Sequence, residues 1–331
     1  MTPDPQSAPT PTAARVRAVS LVGILAVSTA SVFIRFAQAS GGPSLLIAAG
    51  RMLTAAVVLF AVVLAFDRAQ LSRVTRRDLG LAILSGAFLA VHFAAWITSL
   101  ELTSVASSVV LVTTTPLWAS LASTILLREP PRGAMVLGMF VALVGTAVVA
   151  LSESCTWAAG LTCASGGLSL SRDALRGDAL ALLGAWMVTG YFLIGRTLRP
   201  RMPLRVYALL TYGTAGLALL ASLAVAHISL APYPSEVYIW ILALGLVPQL
   251  VGHSAFNWSL RYLSATFVTI AVLGEPVGSI LLAWVLLGEA PGVVQILGGG
   301  LILAGILVAS RAETGRLQPA PAATGELGRA A

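Results

Sequence analysis

Ten apolar runs, arranged as an odd-numbered repeat, restrict what this chain can fold into more than any other feature. The runs lie near 18–38, 44–66, 79–100, 104–127, 133–151, 178–196, 205–227, 237–258, 263–287 and 291–310. At a rise of about 1.5 Å per residue, each is long enough as a helix to cross a hydrocarbon core of about 30 Å. A lipid-embedded backbone must satisfy its polar groups internally, so helices are the expected form. A shift of 160 residues lays Pro43 on Pro203, Pro116 on Pro276, Leu127 on Leu287, Glu129 on Glu289, Pro131 on Pro291, Gly138 on Gly298 and Gly145 on Gly305. That single offset superposes spans one to five on spans six to ten. Five is odd, so the halves insert with opposite orientation. The expected fold class is an all-α polytopic membrane protein with ten transmembrane helices in two inverted five-helix repeats.

The organisation follows from the same reading. Residues 1–15, with four prolines, are expected to form a disordered tail, and 311–331 a second one. The first repeat covers 16–151, an exterior loop 152–177, and the second repeat 178–310. A cleaved signal peptide is a rival reading of span one, since Arg15 and Arg17 precede its apolar run. Its counterpart in span six favours a retained helix.

Charge sets the orientation. Sixteen arginines fall on one side of the spans, among them Arg68, Arg73, Arg76, Arg77, Arg196, Arg199 and Arg261; the opposite loops hold only Arg172 and Arg176. The arginine-rich side is the expected cytoplasmic face, which places both termini in the cytoplasm and the chain in the inner membrane. The net charge of +7 then reflects loop arginines and implies no nucleic-acid partner. All 20 basic residues are Arg. A chain without lysine has no P-loop and no Schiff-base cofactor, and no cofactor is expected.

Span nine carries a carboxylate, Glu275, followed at once by Pro276. An ionised group at bilayer depth faces a partner or a cavity, and a proline there frees backbone groups that protein or water must cover. Helix rise places Glu275 about 18 Å into its span, His92 and Tyr191 about 20 Å and Gln249 about 18 Å, so four helices bring polar groups to one level. Gln249, His253 and Asn257 recur every four residues on span eight, and Phe88, His92 and Trp96 do so on span three. Such stripes either line a cavity or hydrogen-bond between helices. Arg51 lies about 10 Å below the outer surface and needs a partner, whereas Arg35 has the reach to snorkel to water. Thr115 and Trp118 occupy in the first half the place of Glu275 and Gly278 in the second.

The doubled pattern P-x(~10)-LL-x-E followed by spaced glycines resembles the EamA family of the drug/metabolite transporter superfamily. It is joined by Arg35, Arg51 and the stretch GHSAFNWSLRYLSATFVTIAVLGEP. The resemblance covers nearly all of the chain except the tails and the 152–177 loop. It implies a ten-helix carrier with a central cavity between two five-helix halves, and leaves the substrate open.

The expected function is secondary transport of a small polar, amino acid-like metabolite by alternating access, with export as the expected direction. Proton coupling through Glu275 and His92 is left open. The expected cavity residues are Glu275, His92, Trp96, Gln249, His253, Tyr191, Thr115, Trp118, Arg51 and Asn257. An intramembrane enzyme using Glu275 and a histidine shares these residues but lacks a nucleophile motif or metal set. A receptor or scaffold is the third class. Cys155 and Cys163 share the exterior loop, where they either pair as a disulfide or stay free; without nearby His they form no expected metal site. Glu129 and Glu289 read as acids complementing helix dipoles. Small residues at Gly138, Ala142, Thr146, Gly300 and Ala304 suit close helix packing and leave a homodimer open. The other partners expected are the lipid bilayer and the small-molecule substrate.

Overall fold

A computed structural model describes residues 11–103, 105–156, 162–163, 171–288 and 290–317. Among these residues ten helical spans are long and apolar enough to cross a membrane: Ala13–Ala39, Ser44–Phe66, Arg76–Leu102, Ser107–Leu127, Gly133–Ser152, Arg172–Leu198, Leu204–Val225, Ser235–Ser259, Ala265–Leu282 and Val293–Glu313. Side chains such as Val57, Phe60, Leu126, Leu217, Val285 and Leu297 face outward, as a lipid-solvated bundle requires.

The two expected tails are shorter than composition suggests. The first helix starts at Ala13, where Thr12 Oγ1 accepts the Arg15 N–H at 3.3 Å. The last helix continues to Leu317, beyond 311, and carries Glu313 into the interior at 2% exposure. In the loop between spans five and six, Cys155 lies opposite Cys163 in a two-residue antiparallel ladder. Their side chains lie outside the described part of the structure, as do Ser104 and Glu289.

Packing obeys the repeat. In lipid no hydrophobic force separates one helix face from another, so close approach at small residues carries helix association. A methyl added to Gly138 would lie 2.5 Å from Gly305 O, and one added to Gly145 would lie 2.6 Å from Gly298 O. Exchanging the halves turns the first pair into the second, as an internal two-fold relation demands. Span five thus packs on span ten through four glycines of one chain. Gly300 takes no part in this contact, since nothing lies within 4 Å of an added Gly300 Cβ. Span three packs on span six just as span eight packs on span one, and span two packs on span seven.

Four spans depart from a straight α-helix, and these departures build the interior. Span four breaks at Thr113–Thr114, just before Pro116, and span nine at Leu273–Gly274, just before Glu275 and the Pro276 expected to interrupt it. Pro116 has no N–H to offer Val112 O, and Thr115 Oγ1 donates to that carbonyl instead, at 2.6 Å. Span one breaks at Thr29, whose Oγ1 donates to Ala26 O at 2.7 Å. Span eight widens into a π-helical segment, Gly245–His253, around Pro248.

Arg128 and Gly288 end spans four and nine at equivalent positions, and both adopt left-handed backbone, with φ of 57° and 72°. Only the glycine does so without a Cβ penalty. Arg128→Gly is therefore expected to stabilise the protein by about 0.5–1 kcal/mol, after the extra unfolded-state entropy of glycine is subtracted. A detergent melting curve for the variant at or below that of wild type would contradict this.

Candidate transport cavity

The breaks in spans one and nine are joined by hydroxyls. Ser28 Oγ donates to Glu275 O at 3.1 Å, Ser279 Oγ donates to Ser28 O at 2.9 Å, and Ser31 Oγ donates to Ser279 Oγ at 3.2 Å. Gly278 admits Ser28 at this crossing, where an added Cβ would collide with the hydroxyl. The start of the second half-helix of span nine, which carries Glu275, is thereby fixed against span one.

A cavity of about 480 Å³ opens between the halves. Its polar lining comprises Glu275, Arg51, His92, His253, Thr113, Thr115, Thr146, Thr269, Ser31, Ser279 and Gln295, with Arg35 at the mouth; Phe93, Trp96, Phe192 and Phe256 form aromatic walls. The lining reaches the arginine-poor ends of the bundle at Arg35, Val109, Ala150 and Gln295. Toward the arginine-rich ends it stops at Phe192, Phe256 and Thr269.

Arg51 is 2% exposed. Its Nε donates to Gln249 Oε1 at 2.9 Å, and its guanidinium carbon lies 4.4 Å from the centre of the Phe93 ring. Gly245 permits this, because an added Cβ there would meet Thr54 and would lie 3.1 Å from Arg51 O. His92 Nδ1–H donates to Gly184 O at 2.8 Å, which fixes the ring, and the imidazole stacks on Trp96 at 6.0 Å between centroids. The buried indole nitrogen of Trp96 and Nδ1 of His253 have no hydrogen-bond partner among the described residues. Glu275 lies partly accessible in the wall, and no protein group forms an ion pair with it among the described residues.

Six of the ten residues expected from sequence line this cavity: Glu275, His92, Trp96, His253, Thr115 and Arg51. Four do not, and each has a definite place elsewhere. Gln249 sits behind Arg51 as its hydrogen-bond acceptor. Tyr191 OH donates to Asn257 Oδ1 at 2.9 Å, and Asn257 Nδ2 donates to Tyr212 OH at 3.0 Å, beneath the cavity floor. Trp118 packs edge-on against Trp186 at 5.5 Å, away from the cavity, and donates to Thr114 Oγ1. The four-residue stripe on span eight fails because a π-helical turn intervenes. It rotates Gln249 out of register with His253, so the stripe splits between a buried bond, the cavity and the floor. Phe93, Phe192 and the hydroxyls of Thr146 and Thr269 were missed, because apolar and threonine positions in an apolar helix carry no signal of which way they face.

Below the floor, polar contacts close the arginine-rich end. Arg196 Nη2 pairs with Glu129 Oε1 at 2.9 Å, its Nε lies 3.3 Å from both carboxylate oxygens, and its Nη1 donates to Leu260 O at 3.0 Å. Glu129, expected only to complement a helix dipole, therefore joins the end of span four to the end of span six across the two repeats. Glu313 Oε1 accepts the Ser264 N–H at 2.5 Å, tying span ten to the start of span nine.

Two inverted bundles enclosing a cavity open at one face define a membrane carrier. The chain matches the EamA-like transporter family over residues 17–151 and 175–311, and it belongs to that family. Its function is accordingly transport rather than catalysis. A curated relative from Archaeoglobus fulgidus, described as an uncharacterized transporter, is 34% identical over 74 residues, a stretch spanning 22% of this chain and 27% of that protein. A solved crystal structure, described only as that of a protein, superposes with a TM-score of 0.73 at 24% identity over 92% of this chain and 99% of its own. That likeness is one of fold.

Proposed function

We propose that this transporter moves a small, amphipathic, amino acid-like metabolite by alternating access across the inner membrane, with both termini in the cytoplasm. One observation carries the substrate class. Arg51 and Glu275 face the same cavity without pairing with each other, and aromatic rings fill the wall around them. A cation and an anion kept apart in a partly enclosed site offer complementary contacts to a carboxylate and an ammonium group. The aromatic walls then take an apolar side chain. In this reading the open face is the exterior, so the conformation is outward-facing, and Arg196–Glu129 holds the cytoplasmic end shut. Export is the proposed direction, and Glu275 is the group on which a coupling proton would ride.

The test is counterflow in proteoliposomes with matched analogues of an apolar amino acid. The free zwitterion should exchange. Its methyl ester and its N-acetyl form should each lose about tenfold or more in apparent affinity, the worth of one charge-assisted contact. Equal exchange of all three would remove the zwitterion reading while leaving transport intact.

A further inference from the structure

A second cavity, about 290 Å³, opens on the arginine-rich face, away from the transport cavity. Arg199, Arg205 and Arg261 line it with Asp67, and Pro203, Leu204 and Trp258 form its apolar side. Its charge is unbalanced. Asp67 Oδ2 forms an ion pair with Arg205 Nη1 at 3.0 Å. Arg199 is 2% exposed and donates to neutral acceptors, from Nε to Asn257 O at 2.9 Å and from Nη1 to Met202 O. Half-buried Arg261 lies 5.8 Å from the Tyr262 ring and makes no ion pair with a carboxylate among the described residues.

A buried guanidinium without a counter-charge is costly. Desolvation, with repulsion from Arg261 adding to it, lowers the pKa of Arg199 to about 10, so the group remains a cation at neutral pH. The cavity thus contains two arginines with which no described carboxylate forms an ion pair, beside a tryptophan at the membrane-interface level. The Trp258 ring packs on Tyr262 at 4.7 Å between centroids.

We propose that this cavity binds a phosphate anion, supplied by the headgroup of an anionic phospholipid, between Arg199 and Arg261 with Trp258 against its glycerol region. Arginine matches phosphate oxygens bidentately, and the apolar side favours a lipid over the free ion. A lipid held here would link the loop between spans six and seven to the loop between spans eight and nine.

The experiment is a lipid titration of purified full-length protein in detergent, read by melting temperature and by lipid retained in native mass spectrometry. The arms are phosphatidylglycerol, phosphatidylcholine and inorganic phosphate, applied to wild type, Arg261→Gln and Arg68→Gln. Wild type should retain phosphatidylglycerol selectively, Arg261→Gln should bind it about fivefold more weakly, and exposed Arg68→Gln should match wild type. Stabilisation by inorganic phosphate equal to that by phosphatidylglycerol would keep the anion site but assign it to a free ion. Equal retention of phosphatidylcholine, or equally weakened binding in Arg261→Gln and Arg68→Gln, would overturn the proposal. Arg199→Gln is the second variant, and reduced retention in a properly melting protein is the result expected of it.

Discussion

Glu275→Gln should lower substrate exchange by at least about tenfold while leaving the melting temperature unchanged or higher. The two halves of this expectation share one cause. Glu275 has no ion-pair partner among the described residues, and the residue is half-buried in the cavity wall. A charge held in a low-dielectric wall without a partner costs stability, so neutralising it removes a penalty. The amide can no longer hold an ammonium group or a coupling proton as the carboxylate does. Charge-assisted bonds of this kind are worth about 1.5–3 kcal/mol, or about tenfold to a hundredfold in affinity. Sites that sacrifice stability for function behave in this way. Proteoliposome counterflow and detergent melting curves together give the answer. Wild-type exchange in the variant would remove Glu275 from the mechanism. A large drop in melting temperature with no defect in exchange would make it a structural residue and weaken the carrier assignment of the cavity.

The value of Glu275 as a marker was legible because charge and proline are rare signals in an apolar helix. The repeat was legible for a related reason: Pro116 with Pro276, and Gly138 with Gly298, recur at one offset; Pro276 announced the break in span nine, and its counterpart Pro116 sits at the break in span four. The break at Thr29 was not announced. Thr189, its counterpart, lies in an unbroken helix and donates to Ala185 O at 2.8 Å. The same residue type thus sits at a bend in one half and in a straight helix in the other. The bend goes with neighbours, since Ser28 beside it is bound to span nine. Facing was the other weak point. Counting residues estimated the depth of Gln249 and put Asn257 on its stripe, but their azimuth depends on a π-helical turn that no four-residue count includes. The sixth span posed a further difficulty, because Tyr191 reaches the level of His92 while its hydroxyl points down to Asn257. Depth comes from arithmetic along one helix. Direction comes from which neighbours the helix meets.

The second large effect is expected at Glu129, which is outside the cavity and touches no substrate in the proposed mechanism. Its pair with Arg196 joins the two repeats at the closed end, with side chains 27% and 23% exposed, so water screens it less than a surface pair. In alternating access such a contact belongs to one of two states, and removing it shifts their populations by its differential free energy. A multiply bonded, partly buried pair of about 1–3 kcal/mol translates into a shift of about fivefold to a hundredfold toward the state open at the arginine-rich face. Glu129→Gln should therefore reduce labelling of a Val32→Cys probe in the cavity by a membrane-impermeant maleimide applied from the arginine-poor side. The background should have Cys155 and Cys163 replaced by serine. Asp173→Asn, which removes the exposed Arg176 pair, is the control and should change nothing measurable, because that pair is about 70% exposed on both sides. Retention of the two backbone bonds from Arg196 Nη1 to Leu260 O and Arg261 O in Glu129→Gln keeps the ends of spans six and eight together. A change in labelling would thus report the loss of the cross-repeat pair rather than a general loosening of that end. Unchanged labelling in Glu129→Gln would show that the pair is present in both states and that the closed end is held by Glu313, Asn257 and the floor aromatics instead.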